Sequence, residues 1–161
     1  MTLVIQEPHW ETLLREVAQE YFKLILIVGE SRSGKSELLK EIVSSCNFAY
    51  INMGEELSQK LSVRPIDLRP AEAEEIAAEI IAEAKASRVA IDNTEVIFEY
   101  PIRMNPLRFL KTQSQQKTIV ATWSGSLGDN EISYGASSHP SYERYSFNVQ
   151  DTFRIITTPR F

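Results

Sequence analysis

Gly29-Glu30-Ser31-Arg32-Ser33-Gly34-Lys35-Ser36 constrains this chain more than any other stretch of it. The eight residues match the pattern G-x-x-x-x-G-K-[ST], in which each fixed position has a physical reason. The two glycines let the backbone take turns that a side chain would obstruct, so successive N–H groups point inward and cradle phosphate. A helix opening at Lys35 adds the positive end of its dipole. Lys35 is a mobile point charge for β- and γ-phosphates, and the Ser36 hydroxyl is a ligand for Mg²⁺. Residues 29–37, ending at Glu37, are therefore the expected binding segment for ATP or GTP with Mg²⁺.

The flanking sequence supplies the context this loop needs. Leu24-Ile25-Leu26-Ile27-Val28 is an apolar run without alternation, the pattern of a strand buried on both faces in a parallel sheet. Ahead of it, Trp10, Leu13, Leu14, Val17 and Tyr21 recur at helical spacing and predict an amphipathic helix over about residues 10–22. Helices are predicted over residues 35–44, 55–61, 71–85 and 107–113. Strands are predicted over 48–52, 88–92, 117–123, 131–134 and 153–158, with a helical turn at 142–145 and Pro65 and Pro70 in a loop. Alternating strands and helices imply crossover units. The expected fold is one α/β domain over residues 1–161. It is a three-layer P-loop NTPase fold with a central, mostly parallel sheet of about five strands flanked by helices.

A second acidic element follows. Val89-Ala90-Ile91-Asp92 places a carboxylate at the end of a buried strand, the position of a Walker B aspartate; Asp92 would hold Mg²⁺ through water or else cap the turn. Many ATPases set a Glu directly after that Asp to activate water. Here Asn93 stands there, and an amide can orient water but accepts no proton. Glu95 is either the displaced base, if the turn is tight, or a solvated loop carboxylate. Thr122 and Ser124 sit where a γ-phosphate sensor would lie, or are plain turn hydroxyls. Arg103, Arg108, Arg144 and Arg154 are either surface residues or candidates for an arginine finger acting on a neighbour's nucleotide, Arg144 first among them. Glu75, Glu79 and Glu83 form an acidic helical stripe, a solvated face or a site for a basic partner. His139, beside Pro140, has no partner at metal-ligand spacing.

Bulk properties exclude several classes. The net charge is −5, against a chain that mainly coats nucleic acid. A single cysteine, Cys46, excludes an intramolecular disulfide, and its apolar surroundings predict a buried thiol. Charged residues precede any apolar run at the N-terminus, and no run is long enough to span a bilayer. A cytoplasmic protein without membrane contact is expected.

Beyond the loop, the order of motifs is informative. It runs Ile91-Asp92-Asn93-Thr94-Glu95, then Asn105-Pro106-Leu107, then Thr118-Ile119-Val120-Ala121-Thr122-Trp123 with Ser124-Gly125, then His139-Pro140-Ser141-Tyr142. With the short leading helix and the loop near residue 30, this resembles the BrxF family, small P-loop proteins of BREX bacteriophage-defence systems, over nearly the whole chain. The resemblance implies a bacterial cytoplasmic protein with an antiviral role; homo-oligomerisation is expected separately, because Asn93 replaces the adjacent base and leaves water activation within one chain deficient. The resemblance also implies partnership with other BREX components such as the large ATPase, and DNA engaged through the complex. Catalysis would be weak and activated by assembly, with Lys35, Asn93, Glu95 and Arg144 as its residues. Two rival classes stay open, a small-molecule kinase and a non-catalytic nucleotide-dependent assembly switch. The kinase lacks an acid–base pair after the second strand, and Asn93 favours the switch.

Overall fold

The computed structural model describes residues 3–5, 9–99, 102, 104–148 and 151–158. In chain order these form β1 (Leu3–Ile5), α1 (Trp10–Val17), β2 (Leu24–Gly29), α2 (Lys35–Cys46), β3 (Ala49–Asn52), α3 (Met53–Ser62) and α4 (Arg69–Glu83). There follow β4 (Arg88–Asp92), α5 (Pro106–Gln113), β5 (Thr118–Gly128), β6 (Glu131–Tyr134), β7 (Glu143–Ser146) and β8 (Arg154–Thr157). Two 3₁₀ turns, Ile66–Leu68 and Thr94–Ile97, join helix to helix and follow β4. The architecture is α/β, with a mostly parallel central sheet between helices. Six strands run parallel in the order β1-β8-β2-β5-β4-β3, and β6 and β7 extend the far end of β5 antiparallel. The described sheet thus has eight strands against the five expected. The prediction missed β1, and residues 143–146 form strand β7 where a helical turn was expected at 142–145.

The two-residue period of each strand divides the core. Leu24, Leu26 and Val28 of β2 join Val89 and Ile91 of β4 and Ile119, Ala121 and Trp123 of β5, against α3, α4 and α5. Ile25 and Ile27, with Ala90, Val120 and Ile156, face α1 and α2. Because both sides of β2 are covered, its sequence needs no polar alternation. Among the described residues, no helix is long and apolar enough to cross a membrane.

Several boundaries moved for identifiable reasons. α1 stops at Val17, and Tyr21 is 69 % exposed instead of joining its apolar face. Lys23 N–H donates to Ser114 O and Lys23 O accepts from Ile119 N–H, so the chain must already be turning into β2. Pro70 and Pro106 lie in the first turns of α4 and α5, where a missing N–H costs nothing. α3 begins at Met53 because the Asn52 side chain caps it, accepting from Glu55 N–H at 3.0 Å. Cys46 ends α2 half-buried at the margin of the core, not enclosed in it. Glu75, Glu79 and Glu83 are exposed, and Glu83 pairs with Lys60 at 3.0 Å.

Trp123 closes the gap between sheet and extension. It is fully buried, edge-on to Phe98 and Tyr145, and its Nε1–H donates to Ser133 O at 2.9 Å. Trp123→Ala should lower stability in a urea titration by about 3–5 kcal/mol, through the cavity left by the indole and the loss of its hydrogen bond to Ser133 O. Val63→Ala, at an 81 % exposed position, should stay within about 0.5 kcal/mol of wild type in the same urea titration.

Candidate functional site

Strand register gathers the site at the carboxyl ends of β2, β4 and β5. Gly29 stands opposite Ser124, Ile91 opposite Ala121, and Asn52 opposite Asp92. Parity sends the side chains of Tyr50, Asp92, Thr122 and Ser124 to the face carrying Ala90 and Val120, which is the face α2 covers. The loop of residues 29–36 and the first turn of α2 therefore meet the acid of β4 directly.

The loop's backbone explains its glycines. Gly34 has φ 90°, the left-handed region, and Arg32 joins it at φ 63°. A Cβ on Gly29 would collide with Thr158 Oγ1 and Ser33 Oγ. Gly34 brings no capping side chain to α2, so the first-turn N–H groups remain for a ligand. Lys35 is buried, with Nζ donating to Glu30 O at 2.7 Å inside the loop. Desolvation lowers its pKa, against the opposing charges of Glu95, Asp92 and Glu37. Serine 33 is buried and receives Thr158 Oγ1–H at 2.7 Å. Glu30, Ser31, Arg32 and Glu37 are exposed. A groove of about 930 Å³ runs beside α2, with Arg32, Glu37, Lys40 and Thr158 in its walls. A second hollow of about 410 Å³ lies between Glu30 and Ser31 on one side and Ser124, Gly125 and His139 on the other. Both are within the size range of ligand pockets.

Asp92 is 2 % exposed and collects four hydrogen bonds. Ser36 Oγ donates to Oδ1 at 2.9 Å, as do the Asn93 N–H at 2.9 Å and Thr122 Oγ1 at 3.3 Å. Tyr50 OH donates to Oδ2 at 2.8 Å. Burial, then the hydrogen bond and charge of Asp92, push the Tyr50 hydroxyl up to about 12. The donor set fits a hard divalent cation: a hydroxyl and a carboxylate already in contact, at the mouth of a backbone cradle for anions. Among the described residues, no group of three or more His, Cys, Asp or Glu side chains could hold a metal ion alone. A cation at Ser36 and Asp92 would take its remaining oxygens from phosphate and water, as Mg²⁺ commonly does.

Asn93 has φ 52°, a conformation Asn tolerates better than most residues, and turns the chain sharply off β4. The turn is tight enough to bring Glu95 back. Glu95 is partly buried, Ser124 Oγ donates to its Oε1 at 2.6 Å, and Thr94 Oγ1 anchors the turn on Thr122 O at 2.6 Å. Ser36, Lys35, Asp92, Glu95, Thr122 and Ser124 thus form one cluster.

The arginines do not join it. Arg108 lies 3.9 Å from Glu74 and Arg144 3.6 Å from Glu131, and both line a separate hollow with Lys111. Arg154 is buried against Glu20 at 3.1 Å, which removes it as a finger for a neighbour. Arg103 lies outside the described residues. His139 accepts from Ser141 N–H at Nδ1, with Nε2 3.7 Å from Glu99; Glu99 is held below the usual carboxylate range first by its hydrogen bond from Tyr134.

Sequence reasoning missed Tyr50 and Thr158. Thr158 directly follows β8 beside the loop, and Tyr50 lies within β3, the neighbour of the strand that carries the acid. Polarity just past a strand end is the signal that points to Thr158, whereas only the register of β3 on β4 brings Tyr50 to Asp92. Comparison with known proteins yields no match: no family model fits the chain, and neither a curated protein nor a solved structure matches it significantly.

Proposed function

We propose that this chain is a P-loop NTPase domain that binds ATP with Mg²⁺ at residues 29–37 and hydrolyses it slowly. The observation that carries this reading is the 2.9 Å contact of Ser36 Oγ with Asp92 Oδ1, joining the loop's last residue to a strand-end acid 56 residues away. Two features support it further. β5 separates the strands bearing loop and acid, and the site opens at the carboxyl ends of parallel strands, where such sheets bind ligands. When bound, Mg²⁺ would neutralise charge on the β- and γ-phosphates. Loop N–H groups and Lys35 would hold the phosphates, and Ser36 and Asp92 the cation; Ser124 positions Glu95, which takes a proton from the water that attacks the γ-phosphorus as the bond to the ADP oxygen breaks, giving ADP and phosphate.

The resemblance of its motif order to that of the BrxF family supports a place in a BREX-type bacteriophage-defence assembly in the bacterial cytoplasm. DNA would be reached through partners, in keeping with a net charge of −5. A second reading, a nucleotide-dependent assembly switch without turnover, is favoured by Asn93 standing directly after Asp92. ADP release separates the two.

Lys35→Ala tests the binding reading. Mg²⁺-ATP at about 100 times its Kd should stabilise the wild type by about 2.7 kcal/mol, and the variant by little. The same variant should fail to support phage resistance in a host carrying the remaining components. An unchanged ATP-dependent thermal shift in Lys35→Ala would sink the assignment.

A further inference from the structure

The two oxygens of Asp92 are held by different kinds of group. Oδ1 takes Ser36 Oγ, the Asn93 N–H and Thr122 Oγ1, all from the loop side and the neighbouring strand. Oδ2 takes Tyr50 OH at 2.8 Å. A cation bound through a lone pair of Ser36 Oγ leaves the O–H able to keep donating to Oδ1, so the cation would sit on the Oδ1 side of the carboxylate. The Tyr50 bond reaches the other oxygen and can persist throughout. It fixes the rotation of the carboxylate, and therefore which lone pairs face the phosphate cradle. Residues behind a metal ligand commonly set its orientation in this way.

We infer that Tyr50 is a positioning residue for the cation: by holding Oδ2 of Asp92 it keeps Oδ1 aimed at Ser36 and the phosphate loop. The inference rests on the nucleotide reading above. The position suits the task. β3 is an edge strand of the parallel sheet, and Tyr50 is 39 % exposed, so its ring contributes little to the core while its hydroxyl reaches inward to Asp92. Tyr50→Phe removes the hydroxyl and keeps the ring. Asn52, opposite Asp92 in the register, does not duplicate the role, because its side chain caps α3 by accepting from Glu55 N–H.

The test is equilibrium binding of a fluorescent ATP analogue across a Mg²⁺ series, with an EDTA reference. In Tyr50→Phe, affinity in EDTA should equal wild type, and the Mg²⁺ concentration giving half the cation-dependent gain should rise about tenfold. That is the low end for a group behind a metal ligand, because Oδ1 keeps its Asn93 and Thr122 donors. In an Asp92→Ala background the cation-dependent gain should be lost, and adding Tyr50→Phe should change nothing further. An unshifted Mg²⁺ midpoint overturns the inference, as does an equal loss in EDTA and in Mg²⁺, which would make Tyr50 a nucleotide contact or a fold support. A wild type that binds the analogue only weakly and equally at every Mg²⁺ concentration overturns the nucleotide reading and this inference together. A wild-type urea midpoint for Tyr50→Phe confirms that the fold is intact.

Discussion

Replacing Glu95 with glutamine should leave triphosphate binding near wild type and lower hydrolysis by about 10²- to 10⁴-fold, the usual range for a lost general base. The substitution is close to isosteric, and an amide oxygen can still accept from Ser124 Oγ, which now lies 2.6 Å from Glu95 Oε1. What it removes is the ability to take a proton, since an amide has none to gain near neutral pH. Asn93 cannot compensate for the same reason, and its backbone is committed to the left-handed turn. Asp92 cannot do so without giving up the donors that hold it. Single-turnover measurement of ADP formation, beside a binding isotherm, checks both halves. A glutamine variant with the native rate removes Glu95 from catalysis. A variant that binds more weakly makes Glu95 a partner of the Lys35 charge instead, a role its proximity to that lysine would permit.

A still larger effect is expected from Arg144. Specific activity should rise with protein concentration, and Arg144→Ala should abolish the rise, because an arginine supplied from a neighbour is worth about 10³ to 10⁵ in rate. That corresponds to about 4 to 7 kcal/mol of barrier. The placement of Arg144 motivates this. It lies on β7, outermost strand of the extension that begins beside Ser124, and its side chain is 63 % exposed. The Glu131 carboxylate 3.6 Å away is only half-buried, and ion pairs so open to solvent hold an arginine weakly. It lines a hollow with Arg108 and Lys111, apart from the loop of its own chain, and is expected to serve the site of a second copy. Sedimentation with and without a slowly hydrolysed ATP analogue should show nucleotide-dependent association. Mixing Arg144→Ala with Lys35→Ala chains should restore activity, since one retains the site and the other the arginine. A flat rate at every concentration, unaltered in Arg144→Ala, removes both the mechanism and the residue.

Local chemistry made much of this molecule legible before its coordinates. The loop of residues 29–36 is encoded in adjacent positions, with glycine where a Cβ would collide at 29 and where the backbone turns left-handed at 34, and its strand and helix neighbours carry their own periodicity. β2 and β4 were readable because burial on both faces demands continuous apolar residues, and Asp92 because a charge ending such a run is conspicuous. Tertiary pairing decided the rest. Residues 143–146 carry a weak local preference and become β7 because β6 offers them a ladder, with Arg144 opposite Ser133 and Tyr145 opposite Ile132. β1 is three residues long, too short for any period to show, and is a strand only by virtue of β8. Glu95 reads as either a base or a loop acid until the left-handed turn at Asn93 and the Ser124 hydroxyl bring it to the site. Tyr50 became part of the site through the register of β3 on β4, a relation between residues 42 apart that no window along the chain contains. Turns and periods depend on near neighbours, whereas register depends on which strands meet, and that is a property of the folded chain alone.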